Sequence, residues 1–213
     1  MAISGSVDVW TDTFPEDLLP QSLDLVIKSW ETFPQPSGSD LEVPLTKKFV
    51  VHLRNNQNRS VHLFRIEGES NVLDEKGDQK GRIDIRFTHG YSASEYFSLE
   101  CKLLNKTDKK GKWFSLAGEY IDEGVMRYVN EQYSGGMNGG MIGYVMDGDT
   151  DKAVKCVNEA IEKRKEKLSI EGKAELKRSS IRPECRQTKE TRHLTKKDWF
   201  IIHHIFLPVT NCN

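Results

Sequence analysis

Three runs of alternating apolar and polar residues, separated by turn-rich spacers, constrain this chain more than any other feature. Val61–Glu67 carries Val61, Leu63, Phe64 and Ile66; Gly81–Phe87 carries Ile83, Ile85 and Phe87; Tyr96–Leu104 carries Phe97, Leu99, Cys101 and Leu103. Side chains two apart in an extended chain leave the same face, so a period of two predicts strands with one packed side. On that reading Ile83, Ile85 and Phe87 share a face, and the spacers suit an antiparallel meander.

Helical periodicity brackets these strands. Glu42–Arg54 tolerates Pro44 in its first turn and lines up Leu45, Phe49, Val50 and Leu53. Leu116–Tyr133 does the same with Ile121, Val125, Tyr128 and Val129. A glycine-rich connection from Ser134 leads into a short apolar strand, Met141–Met146. A helix follows, capped by Asp149 or Thr150 and packed through Ala153, Val154, Val157, Ala160 and Ile161. Residues 165–197 are charged and read as loop, and Trp199–Leu207 reads as the last strand. The order helix, three strands, helix, strand, helix, loop, strand predicts an α/β fold with a mixed central sheet flanked by helices.

A chain of 213 residues, 37% of them hydrophobic, is long enough for one such domain. Residues 1–40 are interrupted by Pro15, Pro20, Pro34 and Pro36. They are expected to form an N-terminal arm of extended pieces and turns rather than a helix. Residues 41–213 are then the domain itself, with a core over 42–146 and a C-terminal strand extension over 147–213.

The formal net charge is -1, so a surface for polyanions has to come from local charge separation. The late segment supplies it: Arg182, Arg186, Arg192, His193, Lys196 and Lys197 are candidate phosphate contacts, set against an acidic stretch from Asp8 to Glu42. Cys101, Cys156, Cys185 and Cys212 have no CxxC spacing, which argues against zinc or a disulfide framework and favours a reducing cytoplasm. The first ten residues lack the charge and apolar core of a leader, and the run at Trp199–Leu207 is too short to span a bilayer. His203 and His204 cannot point the same way in one strand, so they make no ready metal pair. One is expected in the core and the other at the surface.

The chemistry-bearing pattern is Asp84 on one strand followed by Glu100-Cys101-Lys102 on the next. Glu100 and Lys102 leave the same face, opposite Leu99, Cys101 and Leu103. If the strands pair, two carboxylates and an amine converge. Mg²⁺ prefers such hard oxygens and commonly takes only one or two protein carboxylates.

Asp84…Glu100-Cys101-Lys102, on the strand texts Gly81-Arg-Ile-Asp-Ile-Arg and Phe97-Ser-Leu-Glu-Cys-Lys, resembles the PD-(D/E)XK nuclease superfamily. Ile83 stands where the motif's name has proline. The resemblance covers Glu42 to about Met146 and implies a restriction-endonuclease-like αβββαβ core. It implies a Mg²⁺ (or Mn²⁺) ion held by Asp84, Glu100 and the Cys101 carbonyl, with catalysis by Asp84, Glu100 and Lys102. Superfamily members often draw a further acid from the preceding elements; Glu69 is favoured here over Glu67 and Glu42. The following helix, with Glu119, Tyr120, Glu123, Arg127 and Tyr133, is read mainly as a solvated face. The resemblance implies DNA as substrate and an effector of a bacterial defence or restriction-related system. Since no reader module is visible, a protein partner or the structure of the DNA would direct cutting, and a homo-oligomer is compatible with the pattern. The competing expectation is a non-catalytic binding or scaffold subunit on the same fold.

Overall fold

The expected meander forms one half of a seven-stranded mixed sheet. β1 (Arg65–Leu73), β2 (Gln79–Thr88) and β3 (Tyr96–Leu104) pair antiparallel in chain order. After a two-stranded hairpin of β4 (Lys106–Thr107) and β5 (Trp113–Phe114), the chain returns as β6 (Asn138–Val145), parallel to β3. β7 (Lys177–Arg178), β8 (Thr188–Leu194) and β9 (Trp199–Pro208) complete the order β1-β2-β3-β6-β9-β8-β7. The computed structural model describes residues 14–37, 40–73, 76–90, 95–133, 136–170, 172–196 and 198–210.

Helices cover both faces of the sheet. On one lie α1 (Leu18–Glu31) and α2 (Glu42–Asn56). On the other lie α3 (Ala117–Glu119), a π-helical segment (Tyr120–Val125), α4 (Met126–Val129) and, after Asp149, α5 (Thr150–Glu162). Asp149 is the cap, accepting the N–H of Lys152 at 3.0 Å. Among the described residues no helix is long and apolar enough to cross a membrane.

Five local expectations are corrected. The first is α1: Pro20 sits in its first turn, where an amide hydrogen has no intrahelical acceptor anyway, so proline does not break it. Leu19, Leu23, Val26 and Trp30 are buried, and the Trp30 indole N–H donates to the carbonyl of Pro208 at 2.7 Å. Much of the expected arm is thus core. Residues 1–13, with Trp10, lie outside the described residues.

The second concerns β1, which begins at Arg65 rather than Val61. Val61 and Leu63 are exposed, and the ladder opens at Arg65↔Thr88. Third, Ile83 and Ile85 do not share a layer: Ile85 packs with α1 and α2, Ile83 with the π-helix side. Glu69, with φ 51°, interrupts the β1–β2 ladder opposite Asp84, between Gly68↔Ile85 and Ser70↔Ile83.

Fourth, the end of the glycine-rich run, from Asn138, belongs to β6. A Cβ on Gly139 would meet the Tyr128 ring at 2.4 Å, and one on Gly140 the Leu99 side chain at 2.4 Å. Close packing against those neighbours accounts for both glycines. Ser134 and the residue after it lie outside the described residues. Fifth, residues 165–197 are not all loop: β8 pairs with β9 from Thr188↔Ile205 to Leu194↔Trp199.

That added strand buries the histidines. His193, His203 and His204 are each at most 1% exposed, so neither member of the 203–204 pair is at the surface and His193 is unable to meet phosphate. His193 Nδ1 lies 2.8 Å from the Leu168 carbonyl and its Nε2 2.7 Å from Thr191 Oγ1. Thr191 Oγ1 is 2.8 Å from His204 Nε2, and His204 Nδ1 is 2.9 Å from the Tyr120 hydroxyl. The carbonyl accepts only, so His193 Nδ1 carries its proton, and one direction follows for the whole chain. Tyr120 donates to His204, His204 to Thr191, Thr191 to His193, and His193 to Leu168. Every member is satisfied with both imidazoles neutral. Replacing Thr191 by valine would leave two buried ring nitrogens unpaired and is expected to cost about 2–5 kcal/mol. Urea denaturation checks this; a loss below about 0.5 kcal/mol would refute the relay.

Candidate active site

The β2–β3 ladder ends at Ile85↔Leu99. Beyond that pair Asp84 substitutes for a backbone partner: its Oδ2 accepts the N–H of Cys101 at 2.8 Å. The amide of Cys101 therefore faces the gap between the strands, and its carbonyl lies along the same edge by strand geometry. Glu100 and Lys102, the neighbours of Cys101, leave on the opposite face from Leu99, Cys101 and Leu103, as the alternation predicts.

That face is not solvent. Every residue of β3 is buried, Glu100 at 1% and Lys102 at 8% exposure. The π-helix lies over them, with Gly124 at the point of contact: a Cβ there would meet Met141 Cε at 2.3 Å and Lys102 Cγ at 3.6 Å. Arg164, after α5, holds the π-helix from outside through paired hydrogen bonds to Asp122, both 2.7 Å.

Glu100 gathers the polar groups. Oε1 lies 3.2 Å from Arg127 Nη1 and 3.5 Å from Lys102 Nζ, and Oε2 lies 3.0 Å from the Tyr133 hydroxyl. Lys102 Nζ is closer to Glu42, at 2.8 Å from Oε1, while Oε2 of Glu42 is 3.4 Å from the N–H of Leu103. Glu42 thus joins the cluster from the first turn of α2. Glu69, the favoured extra acid, lines a cavity of about 230 Å³ together with Asp84 but is paired with Lys47 at 3.0 Å and Arg82 at 3.2 Å. Glu67 is paired with Arg86 at 3.7 Å.

The electrostatics follow from burial. Burial, and then the charge of Asp84, push the Glu100 carboxyl up to about 8, outweighing Arg127, Lys102 and Tyr133. Burial also raises Asp84 above the ordinary carboxylate range, with Glu42 adding to it against Cys101, Lys102 and Arg127. Burial works to lower the Lys102 ammonium, but Glu42, by hydrogen bond and charge, with Glu100 and Asp84, holds it above the usual lysine value. The carboxylates are short of positive charge and the lysine is held as a cation.

A divalent cation between Asp84 and Glu100 would answer that shortage. Among the described residues no three His, Cys, Asp or Glu side chains gather at one point. The available donors are therefore two carboxylates, the Cys101 carbonyl and water, a set that suits Mg²⁺ or Mn²⁺.

The basic residues picked from the sequence are not brought to this site. Arg182 is paired with Asp24 at 2.7 Å and Glu184 at 3.2 Å. The Arg192 guanidinium lies over the Trp199 ring, 4.7 Å from its centroid. Arg186 and Lys196 flank opposite ends of β8, which is three strands from β3. At the usual strand spacing that is roughly 14 Å. Lys197 lies outside the described residues. Conversely, Arg127 and Tyr133 belong to a segment read mainly as solvated. The signal for them was their place on the element that follows β3; Glu42 had only its place at a helix start.

Comparison of the chain with family models, curated proteins and solved structures found no match.

Proposed function

We propose that this protein is a metal-dependent nuclease of restriction-endonuclease-like fold, cutting DNA phosphodiester bonds at Asp84, Glu100 and Lys102. One observation carries the reading: where β2 and β3 part, Asp84 caps the Cys101 N–H, the neighbouring Glu100 lies 3.5 Å from the Lys102 ammonium, and both carboxylates are raised. The order α2, β1, β2, β3, helical segment 117–129, β6, with β6 parallel to β3, agrees with the fold the resemblance implies.

Asp84, Glu100 and the Cys101 carbonyl would hold Mg²⁺ or Mn²⁺. When bound, the ion polarises the scissile phosphate and acidifies a water. The remaining steps fall to side chains. Lys102, protonated and steered by Glu42, offsets the negative charge that builds on the phosphoryl oxygens. It is a charge-balancing group rather than a general base. Arg127 and Tyr133 position the Glu100 carboxylate. The cellular setting we infer is a bacterial defence or restriction-related system, with a partner protein or the structure of the DNA directing the cut.

Incubating linear and circular DNA with the chain in Mg²⁺ or Mn²⁺ tests this. Cleavage that EDTA abolishes is expected, and no cutting of DNA with either ion counts against the reading. A non-catalytic scaffold is favoured by one observation, the self-contained pairing of Glu100 with Arg127, Lys102 and Tyr133. That reading requires Asp84→Asn to leave Mn²⁺ affinity unchanged. The nuclease reading requires a loss of roughly tenfold or more, the scale of one charged ligand interaction.

A further inference from the structure

The strongest unassigned surface is the seam between the end of α2 and β1. A cavity of about 500 Å³ opens there, with Arg54, Arg59, His62 and Arg65 among its lining residues. All three arginines are exposed. Arg54 Nε donates to the Ile66 carbonyl at 2.9 Å, and Arg65 Nη2 to the Gly90 carbonyl at 2.6 Å. Those bonds orient two guanidiniums while leaving their charge uncompensated, and among the described residues none of the three arginines has a carboxylate partner. The acid on this seam, Glu67, is taken by Arg86. Lys28 adds positive charge close enough to help lower the His62 imidazole, after burial.

The seam leads to the site. Arg54 lines both this cavity and the 230 Å³ cavity that contains Asp84. Along β1, residues 65–67 line the first and Gly68 and Glu69 the second. From Arg54 back to Val43, at the Asp84 end, α2 covers roughly 16 Å at 1.5 Å per residue. A concave row of unneutralised guanidiniums, two of them oriented, that ends at Asp84 has the chemistry of a phosphate-backbone track.

We propose that the α2–β1 seam is the track on which a DNA strand's phosphates lie as they approach Asp84, with Arg59, Arg65 and Arg54 as their partners. The assignment rests on the nuclease reading for its direction, and it moves the nucleic-acid surface away from the 182–197 segment.

Fluorescence anisotropy of labelled single-stranded and duplex DNA 20-mers, in EDTA over a salt series, tests it with the full chain. Arg59→Ala combined with Arg65→Ala changes two exposed side chains, and circular dichroism confirms the fold. The expected result is an affinity loss of roughly tenfold per arginine. The slope of log K against log salt becomes shallower by about 1.4 for single strands and about 1.8 for duplex. Arg186→Ala with Lys196→Ala is the control and changes affinity by less than about threefold. The reverse ranking, no binding by the wild-type chain at low salt, or tighter binding of RNA than of DNA of the same sequence overturns the proposal. Because no cutting occurs in EDTA, a chain that binds along the seam yet never cleaves with Mg²⁺ or Mn²⁺ would defeat the nuclease reading alone.

Discussion

Replacing Glu100 by glutamine is expected to slow metal-dependent cleavage by roughly 10²–10³-fold and, unusually for a buried substitution, to stabilise the metal-free protein at high pH. The two effects have one cause. Glu100 is 1% exposed and sits beside Asp84, so its carboxyl is raised from 4.5 to about 8. The folded state therefore holds a proton that the unfolded chain releases between about pH 4.5 and 8. Stability from this group is full below pH 4.5 and is lost as pH rises through 8. The difference amounts to about 5 kcal/mol at most. Glutamine cannot ionise, and its carbonyl can still accept from Arg127 and Tyr133. The gain should be about 5 kcal/mol at pH 9, about 2 kcal/mol at pH 6 and close to zero below pH 4.5, read from urea denaturation in EDTA. A variant that is less stable than wild type at both pH values would show that the Glu100–Arg127 pair holds the fold together and that the metal-free site is not short of positive charge.

The second large effect lies on the acid side. Burial lowers His193 and His203 to about 4, and His204 falls well below its ordinary value through burial and its two histidine neighbours. For these groups the unfolded chain binds protons first, from about pH 6.5 downward. Their stability is complete above pH 6.5 and is lost as pH falls through 4, at about 3 kcal/mol for each of His193 and His203. The raised carboxylates Glu100 and Asp84 oppose part of this loss. One to two net protons remain, so stability near pH 5 should fall by roughly 1.4–2.7 kcal/mol per pH unit. Between pH 7 and pH 4 the net loss amounts to roughly 3–6 kcal/mol, a large share of the total of about 5–15 kcal/mol for a domain. Denaturation curves at half-unit steps provide the check. Stability that stays flat from pH 7 to pH 4.5 would mean the histidines are charged or solvated in the fold.

Structure is legible in the sequence where a local pattern coincides with a single physical constraint. β3 alternates cleanly, and Glu100 and Lys102 emerge on one face opposite Leu99 and Cys101 because the pleat allows nothing else. Asp149 caps α5 because its side chain reaches Lys152 N within its own turn. Local pattern misleads where distant partners decide. Pro20 looked like a break, yet the burial of Leu23, Val26 and Trp30 makes α1 a helix around it. β8 has the composition of a loop and is a strand because β9 offers it an edge and because Thr191 and His193 are satisfied within the relay. Ile83 and Ile85 share a parity but not a layer, since the ladder breaks at Glu69 and Asp84.

The candidate site divides along the same line. Asp84, Glu100 and Lys102 were legible as a motif on two strands. Glu42, Arg127 and Tyr133 were not, because each reaches the cluster through tertiary packing of an element whose own sequence looks ordinarily polar. Net charge and local basicity pointed to residues 182–197, but ion pairing and burial take up Arg182 and His193 there. Arg54, Arg59 and Arg65 are scattered in sequence and gather only when α2 lies along β1.

The most direct measurement is single-turnover cleavage of DNA by wild type and Lys102→Met, run beside Mn²⁺ binding by the same two proteins. Methionine keeps the apolar stem beside Gly124 and removes the charge together with the hydrogen bond to Glu42. The prediction is cleavage by wild type in Mg²⁺ or Mn²⁺ and none in EDTA, with the variant slower by roughly 10²–10³-fold while its Mn²⁺ affinity stays within a few-fold. Equal rates for the two proteins, or no cleavage of DNA by wild type with either ion, would contradict a catalytic centre built on Asp84, Glu100 and Lys102.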